Sequence, residues 1–296
     1  MKKTKKIKHA AILINYSDAK TTADCVNSIK ASKDAPHIIV VDNGSSDECI
    51  AELKSLCPNL DLIQAGSNLG YSAGNNIGIK KALRLGAQVV YIINNDTLVD
   101  QNLFFRAYRY VANKTRIAGA KIYYAKGHEY HEESKGKGDI LWYAGGYFDY
   151  ATATARHYGI DERDQSQYDK IRPVEFVTGC FMAIPRVVLN KIGNFSEEYF
   201  LYLEDTDYCL RAQQRGVEVM YNPNLVLYHL NGGSTKAGSK LVDYYMTRNR
   251  FLIAKRYGSW RLRFALLREG LRNWSDPTRR RALIDYLSSK LGNRSL

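Results

Sequence analysis

The sequence predicts an α/β fold with a mostly parallel central sheet flanked by helices. Three observations carry this expectation. Short apolar runs recur at 10–15, 37–42, 60–65 and 89–94, with helix-period segments between them; continuous runs of this length are typical of strands buried on both faces. Three of the runs end in polar residues, at Asn15, Asp42 and Asn94-Asn95-Asp96. Those are strand carboxyl ends, where open parallel sheets bind ligands. Finally, the 296 residues are 45% hydrophobic with six prolines, enough to bury a sizeable core without extended disorder.

In chain order, a strand at 10–15 leads to a helix at 20–31. A strand at 37–42 runs into the turn Asn43-Gly44-Ser45-Ser46 and a helix near 47–56. Strands at 60–65 and 89–94 precede helices at 74–85 and near 101–114. Residues 124–172 are rich in Tyr, Gly, His and charge with weak periodicity, and read as hairpins and loops over the active face. A buried strand at 174–184 leads to a short helix at 186–192. The aromatic and apolar run from Tyr199 stops at Glu204, Asp205 and Asp207, and a helix over 205–215 follows with Gly216 as its stop. Strands at 217–221 and 225–229, then helices at roughly 240–257 and 260–291, close the chain.

Composition excludes several classes. Five cysteines, an odd count without paired close spacing, indicate reduced thiols in a cytosolic protein and not a disulfide framework or zinc site. The basic start leads into only five apolar residues, Ala10–Ile14, too few for a signal peptide or membrane anchor. A dinucleotide fingerprint would need Gly-x-Gly-x-x-Gly after the first strand, where Asn15-Tyr16-Ser17-Asp18 stands; a Walker lysine turn is missing too. The net charge of +13 is concentrated late: residues 255–296 hold eleven Lys or Arg against three acids, with Trp260, Leu262, Phe264, Leu266, Leu267, Leu271 and Trp274 between them. Such a stretch suits an anionic membrane surface; a solvated helical flank and nucleic acid are the competing readings.

Several groups could carry chemistry. Three carboxylates packed against Phe200, Tyr202 and Leu203 exceed what capping a helix requires, and charge beside apolar surface acquires an altered pKa. Asp96, reached from an apolar strand through two asparagines, could hold a divalent cation that also touches a diphosphate; an Asx turn would look the same. Asp42 to Asp47 fits a turn and N-cap as well as a site. Gly70, Gly74 and Gly78 recur at helical spacing, which permits close packing and leaves free N–H groups at a helix start for phosphate. His229 follows an apolar run and precedes a Gly-rich loop, a position for either a structural histidine or a metal ligand.

At the level of ordered motifs the chain resembles bacterial family 2 glycosyltransferases of the GT-A fold, in their rhamnosyltransferase-like branch. The resemblance is carried by Ile39-Val-Val-Asp-Asn-Gly-Ser-Ser-Asp47, Asn68-Leu-Gly-Tyr-Ser-Ala-Gly-Asn-Asn-Ile-Gly78 and Asn94-Asn-Asp96. It continues through Phe176-Val-Thr-Gly-Cys-Phe-Met182, Glu204-Asp-x-Asp207, His229 and Tyr244-Tyr-x-x-Arg-Asn249. It implies a nucleotide-sugar half at about 8–120, an acceptor half at about 121–257, and a basic amphipathic helical extension at 258–296.

The resemblance also implies roles. Asn15 and Asp42 would contact base and ribose, with Asn43, Asn68, Gly70 and Gly74 flanking the nucleotide. Asn94, Asn95 and Asp96 stand at the family's metal-binding motif. Asn94 replaces its first aspartate, leaving Asp96 and His229 as ligands of Mg²⁺ or Mn²⁺. Asp205 matches the catalytic base, Glu204 an acceptor contact, and Asp207 a structural acid. Thr178 and Gly179 would face the acceptor. Trp142, in the 124–172 loops, is a candidate acceptor platform because aromatic faces suit sugar rings, although a packed hairpin layer would read the same.

The implied activity is inverting, metal-dependent transfer of a sugar to a saccharide or lipid-linked saccharide in cell-surface polysaccharide synthesis. The expected donor is dTDP-L-rhamnose, with UDP-hexoses as the alternative. The expected location is the cytoplasm, at the inner face of the membrane through the C-terminus. No nucleic acid partner is expected, and a homo-oligomer stays open. A nucleotidyltransferase would want a Gly- and Lys/Arg-rich loop after the first strand, which Tyr16-Ser-Asp-Ala-Lys-Thr21 does not supply. A non-catalytic binding subunit has Asn94 as its only hint.

Overall fold

The computed structural model describes residues 6–129, 139–230 and 239–294. Residues 1–5, the stretch 130–138 of the expected acceptor loops, the stretch 231–238 with its Gly-rich start, and 295–296 lie outside them. The first half alternates as expected: β1 (His9–Asn15), α1 (Ala19–Lys30), β2 (His37–Asp42), α2 (Asp47–Leu56), β3 (Asp61–Gln64), α3 (Gly70–Arg84) and β4 (Val89–Ile93). Then come β5 (Thr97–Val99), α4 (Leu103–Val111), β6 (Arg116–Tyr124), β7 (Leu141–Tyr143), β8 (Gly146–Asp149), β9 (Thr154–His157) and β10 (Arg172–Pro173). The chain continues through β11 (Phe181–Pro185), α5 (Arg186–Ile192), α6 (Glu204–Gln214), β12 (Glu218–His229), α7 (Lys240–Tyr257), α8 (Trp260–Arg272) and α9 (Pro277–Leu287).

The main sheet runs β10-β12-β6-β11-β4-β1-β2-β3, with β5 on β12 and β7 on β6. From β4 to β3 it is parallel; beyond β4, β11 enters antiparallel between β4 and β6, so the whole is mixed. The chain winds from β1 through β2 to β3, then returns to β4 on the other side of β1. The carboxyl end of β1 is thereby a switch point, where such sheets open a crevice. Ile12, Leu13, Val40, Val41 and Ile92 are fully buried, each contributing about 1.5–3 kcal/mol by leaving water. Helix α3 rides close over β1: a Cβ on Gly78 would lie 2.4 Å from Ile12 Cγ2.

The structure departs from the expected elements in five places. Of the strand expected at 174–184 only Phe181–Pro185 forms; residues 174–180 run as an irregular segment whose turn presents the Gly179 N–H to Asp205. Helix α3 begins at Gly70, not at 74, so the Gly74 N–H lies inside the helix and is not a free start. Strand β6 was not anticipated, because Gly119 and Lys121 break its apolar run. Gly119 makes room for Val177, whose Cγ1 a Cβ there would meet at 2.6 Å, and Lys121 is buried with its Nζ 2.7 Å from Asp164 Oδ2 and paired also with Asp169. The two strands expected at 217–221 and 225–229 are one strand, β12, bulged between Asn222 and Val226 against β6. The helix expected over 260–291 is two, since Pro277 opens α9 and Asp276 caps it through the N–H groups of Thr278 and Arg279.

Helix α9 packs on α7, with Phe251 and Tyr286 stacked at 5.2 Å and the Tyr244 hydroxyl donating to Asp285 at 2.7 Å. Helix α8 buries Leu262, Leu266 and Gly270, and leaves Trp260, Phe264 and Leu271 outside.

Candidate active site

Three features meet at the strand carboxyl ends. The first is a relay of buried amides and hydroxyls. Asn95 Nδ2 donates to Thr22 Oγ1 at 2.9 Å, Thr22 Oγ1 to Asn15 Oδ1 at 2.7 Å, and Asn15 Nδ2 to Asp42 Oδ2 at 2.7 Å. Asp42 Oδ1 in turn accepts from the Ser45 N–H at 3.0 Å. Asn43 crosses to the next loop: its Nδ2 donates to Asn68 Oδ1 at 3.1 Å and its Oδ1 accepts from the Leu69 N–H. Asn68 Oδ1 also accepts from the Gly70 N–H at 2.9 Å. The expected donor-side residues Asn15, Asp42, Asn43, Asn68, Gly70 and Asn95 are therefore one stitched rim. Gly74 lies beneath it, where a Cβ would fall 2.9 Å from Ile14 Cδ1 and 3.7 Å from Asn43 Cγ.

The second feature is the turn after β4. Pairing of β12 with β5 sets His229 opposite Thr97, which brings His229 Nε2 to 3.2 Å from Asp96 Oδ1. Both residues are buried, and neither Asp96 Oδ1 nor His229 Nδ1 has an aligned hydrogen bond. Burial works to raise the Asp96 carboxyl, but His229, a backbone N–H and Asn94 outweigh it and hold the group below its usual range. Two adjacent ligands of an octahedral Mg²⁺ at 2.0–2.1 Å stand about 3 Å apart. The spacing of Asp96 Oδ1 and His229 Nε2 is thus compatible with adjacent ligands of one divalent cation. Among the described residues no cluster of three or more His, Cys, Asp or Glu could hold a metal, so further ligands would come from water or phosphate.

Trp142 does not stand free as an acceptor platform: its ring lies 4.5 Å from that of His229 and 4.8 Å from that of His157. Burial pulls the His157 pKa down to about 4, against the hydrogen bond to the Trp142 carbonyl, so this aromatic wall behind His229 is neutral.

The third feature is the acidic loop. Glu204 and Asp205 open α6, and the loop before it is left-handed at Phe200, Tyr202 and Leu203, with φ of 59°, 71° and 67°. Left-handed backbone costs about 1–3 kcal/mol at such a residue and persists where surroundings impose it. Asp205 is partly exposed; its Oδ2 accepts from the Gly179 N–H at 2.8 Å and its Oδ1 from the Thr206 N–H at 2.6 Å. Desolvation nevertheless raises its pKa. Glu204 is 6% exposed with Oε2 unpartnered, and desolvation together with Asp205 drives its pKa well above the ordinary value. Asp207 points inward to Arg211, Arg256 and the Tyr257 hydroxyl, at 2.9, 2.6 and 2.9 Å; it ties α6 to α7.

Tyr71 links the second and third features. Its hydroxyl donates to the Gly179 carbonyl at 2.7 Å and lies 3.0 Å from Asn94 Oδ1, while Gly179 holds Asp205. A Cβ on Gly179 would stand 3.0 Å from the Tyr71 oxygen, so glycine lets the bridge form. Thr178 Oγ1 turns back onto the Cys180 N–H. Sequence reasoning assigned no role to Thr22, Tyr71, Arg248 or Asn249. The motif holding the last two was visible, but their partners are backbone carbonyls about fifty residues away.

A profile of the family described as Glycosyltransferase like family 2 matches residues 9–250. Among curated relatives, the low-salt glycan biosynthesis hexosyltransferase Agl10 of Haloferax volcanii is 26% identical over 81% of this chain and 73% of its own. The N-acetylglucosaminyl-diphospho-decaprenol L-rhamnosyltransferase of Mycobacterium tuberculosis is 24% identical over 84% and 85%. A crystal structure of GalNAc-T7 with UDP, GalNAc and Mn²⁺ superposes with a TM-score of 0.61 at 16% identity, over 87% of this chain; the chain spans about half, 53%, of that one. The mannosyltransferase PcManGT of Pyrobaculum calidifontis, in complex with GDP-Man and Mn²⁺, gives 0.54 at 16% identity over 98% and 77%. These likenesses show the fold, which is GT-A.

Proposed function

The chain belongs to glycosyltransferase-like family 2, and from that premise we propose that it is an inverting, cation-dependent hexosyltransferase. Its donor in this reading is dTDP-L-rhamnose, and its acceptor a hydroxyl of a saccharide or lipid-linked saccharide in surface polysaccharide synthesis. The rhamnosyl group follows the L-rhamnosyltransferase relative, whose name also specifies a lipid-diphosphate acceptor. The observation that carries the reading is the Asn94–Tyr71–Gly179–Asp205 chain of contacts, which joins a partly exposed, desolvated carboxylate to the strand end that bears Asp96.

Asp205 takes the proton of the acceptor hydroxyl. That oxygen forms its bond to the anomeric carbon as the bond to the diphosphate breaks on the opposite face, and the electron pair leaves with the nucleotide. Inversion follows from this geometry, and a carboxylate raised in pKa by burial is a better proton acceptor. Glu204, adjacent to Asp205 and raised in pKa by burial, is the acceptor contact of this reading. Asp96 and His229 would hold Mg²⁺ or Mn²⁺, which when bound offsets the charge growing on the leaving diphosphate. The rim of Asn15, Asp42, Asn43 and Asn68 orients base and ribose.

The exposed stripe of α8, with Arg261, Arg268 and Arg272 along one edge, suits docking on an anionic bilayer at the inner face of the cell membrane. No helix among the described residues is long and apolar enough to cross one.

A panel of nucleotide sugars, assayed for transfer and for slow hydrolysis with and without Mn²⁺, tests the reading. dTDP-rhamnose should be turned over fastest; preference for a UDP-hexose replaces the donor assignment and keeps the rest. Asp205→Asn should bind donor normally and lose roughly 10²–10⁴-fold in kcat. Unimpaired transfer by that variant sinks the base assignment.

A further inference from the structure

We propose that Asn249 is a positioning residue for Asp205, acting through the left-handed loop 199–203. The proposal rests on the reading of Asp205 as the base. Asn249 lies in α7 and is fully buried. Its Nδ2 donates to three carbonyls of the loop, those of Tyr199, Leu201 and Tyr202, at 3.0, 2.8 and 2.8 Å. One amide thus gathers the oxygens of the two residues flanking left-handed Phe200 and that of left-handed Tyr202, directly before left-handed Leu203.

The amide is itself fixed. Arg248 Nε and Nη2 donate to Asn249 Oδ1 at 3.1 and 3.0 Å, which assigns the oxygen and nitrogen of that side chain without ambiguity. Arg248 is also fully buried; its Nη2 reaches the Glu198 and Tyr199 carbonyls, its Nη1 the Gly292 carbonyl, and its guanidinium stands 4.9 Å from the Tyr245 ring.

On the opposite side the loop meets α3. The Phe200 carbonyl accepts from the Tyr71 N–H at 2.7 Å, and Gly70 leaves no room for a side chain, since a Cβ would fall 2.4 Å from Phe200 Cδ2. The loop is therefore held between α7 and the donor-side rim. Its last residue, Leu203, turns the chain directly into Glu204 and Asp205.

A buried backbone carbonyl left without a donor is costly, and Phe, Tyr and Leu do not favour left-handed φ by themselves. Without the Asn249 amide the Leu201 and Tyr202 carbonyls lose that donor, and the loop keeps its Arg248 and Tyr71 contacts on either side of the change. Asp205 would then keep its chemistry and lose its placement. A displacement of about 1 Å at a reacting group costs on the order of 10²-fold in rate.

The test is a double-mutant cycle. Asn249→Ala should lower kcat about 10²-fold, while donor-nucleotide affinity, measured by calorimetry, and donor KM stay within about threefold of wild type. In an Asp205→Asn background the same substitution should cost almost nothing more, because the group it positions is gone. Should Asn249→Ala fail to fold, Asn249→Ser, whose hydroxyl keeps one donor, carries the same cycle, with a smaller loss expected. An undiminished kcat, or an equal fold-loss in both backgrounds, overturns the proposal. Full transfer by Asp205→Asn alone overturns the base assignment instead, so the two failures are distinct.

Discussion

Glu204 and Asp205 are adjacent in the chain, yet Asp205 is partly exposed and accepts from the Gly179 and Thr206 N–H groups, whereas Glu204 is buried with Oε2 unpartnered. Both are raised, Glu204 by burial and then by Asp205. An acid whose folded pKa is raised adds stability at pH below its unfolded value, near 4.3 for Glu, and loses it as pH rises towards the folded pKa. Glu204→Gln mimics the neutral form and escapes that loss. Its Tm should therefore exceed wild type by a margin that widens from about pH 4.3 towards neutral; a constant or narrowing margin contradicts a neutral Glu204. Catalysis has the opposite sign, because Asp205 must be ionised. The acid limb of kcat should fall at a pH above the ordinary aspartate value of about 3.9, and a limb at or below that value contradicts a desolvated base.

The helices divide in what they reveal to a reader of the sequence. On α8, Trp260, Phe264, Leu267 and Leu271 recur at i, i+4, i+7 and i+11, which forms one stripe. Trp260 is 72% and Phe264 58% exposed, whereas Leu262 and Leu266 face inward. Trp260→Ser with Phe264→Ser and Leu271→Ser should thus leave Tm within a few degrees of wild type and abolish cosedimentation with phosphatidylglycerol vesicles. Unchanged cosedimentation removes α8 as the membrane face. The parallel strands and their polar ends were legible because periodicity and apolar runs record burial directly, whereas the apolar residues after 258 did not by themselves separate outward Trp260 and Phe264 from inward Leu262 and Leu266. The loop before α6 was not: its left-handed residues are types that disfavour that conformation, and what imposes it is a distant amide. Strand β6 hid for a related reason, since a buried Lys121 reads as exposed until Asp164 and Asp169 come into view.

Across the whole molecule, the C-terminal segment returns to the active-site rim. The Gly292 N–H donates to the Glu198 carbonyl at 2.9 Å and its carbonyl accepts from Arg248 at 2.7 Å. Asn293 Nδ2 donates to the Asn68 carbonyl at 2.9 Å, and the Arg294 N–H to the Tyr245 hydroxyl at 3.1 Å. The same few residues therefore touch the donor-side loop, the clamp helix α7 and the start of the acidic loop. A role limited to membrane docking predicts that deleting residues 288–296 leaves transfer to a water-soluble acceptor untouched. The hydrogen bonds predict otherwise: the deletion should lower kcat several-fold and raise donor KM on a soluble acceptor, with no vesicles present, because Asn68 and Glu198 each lose a donor. The α8 triple variant should retain the full rate in that assay. Equal, wild-type rates for both proteins would assign the C-terminal segment to the membrane alone. Loss confined to the deletion makes the tail part of the catalytic frame and leaves α8 outside it.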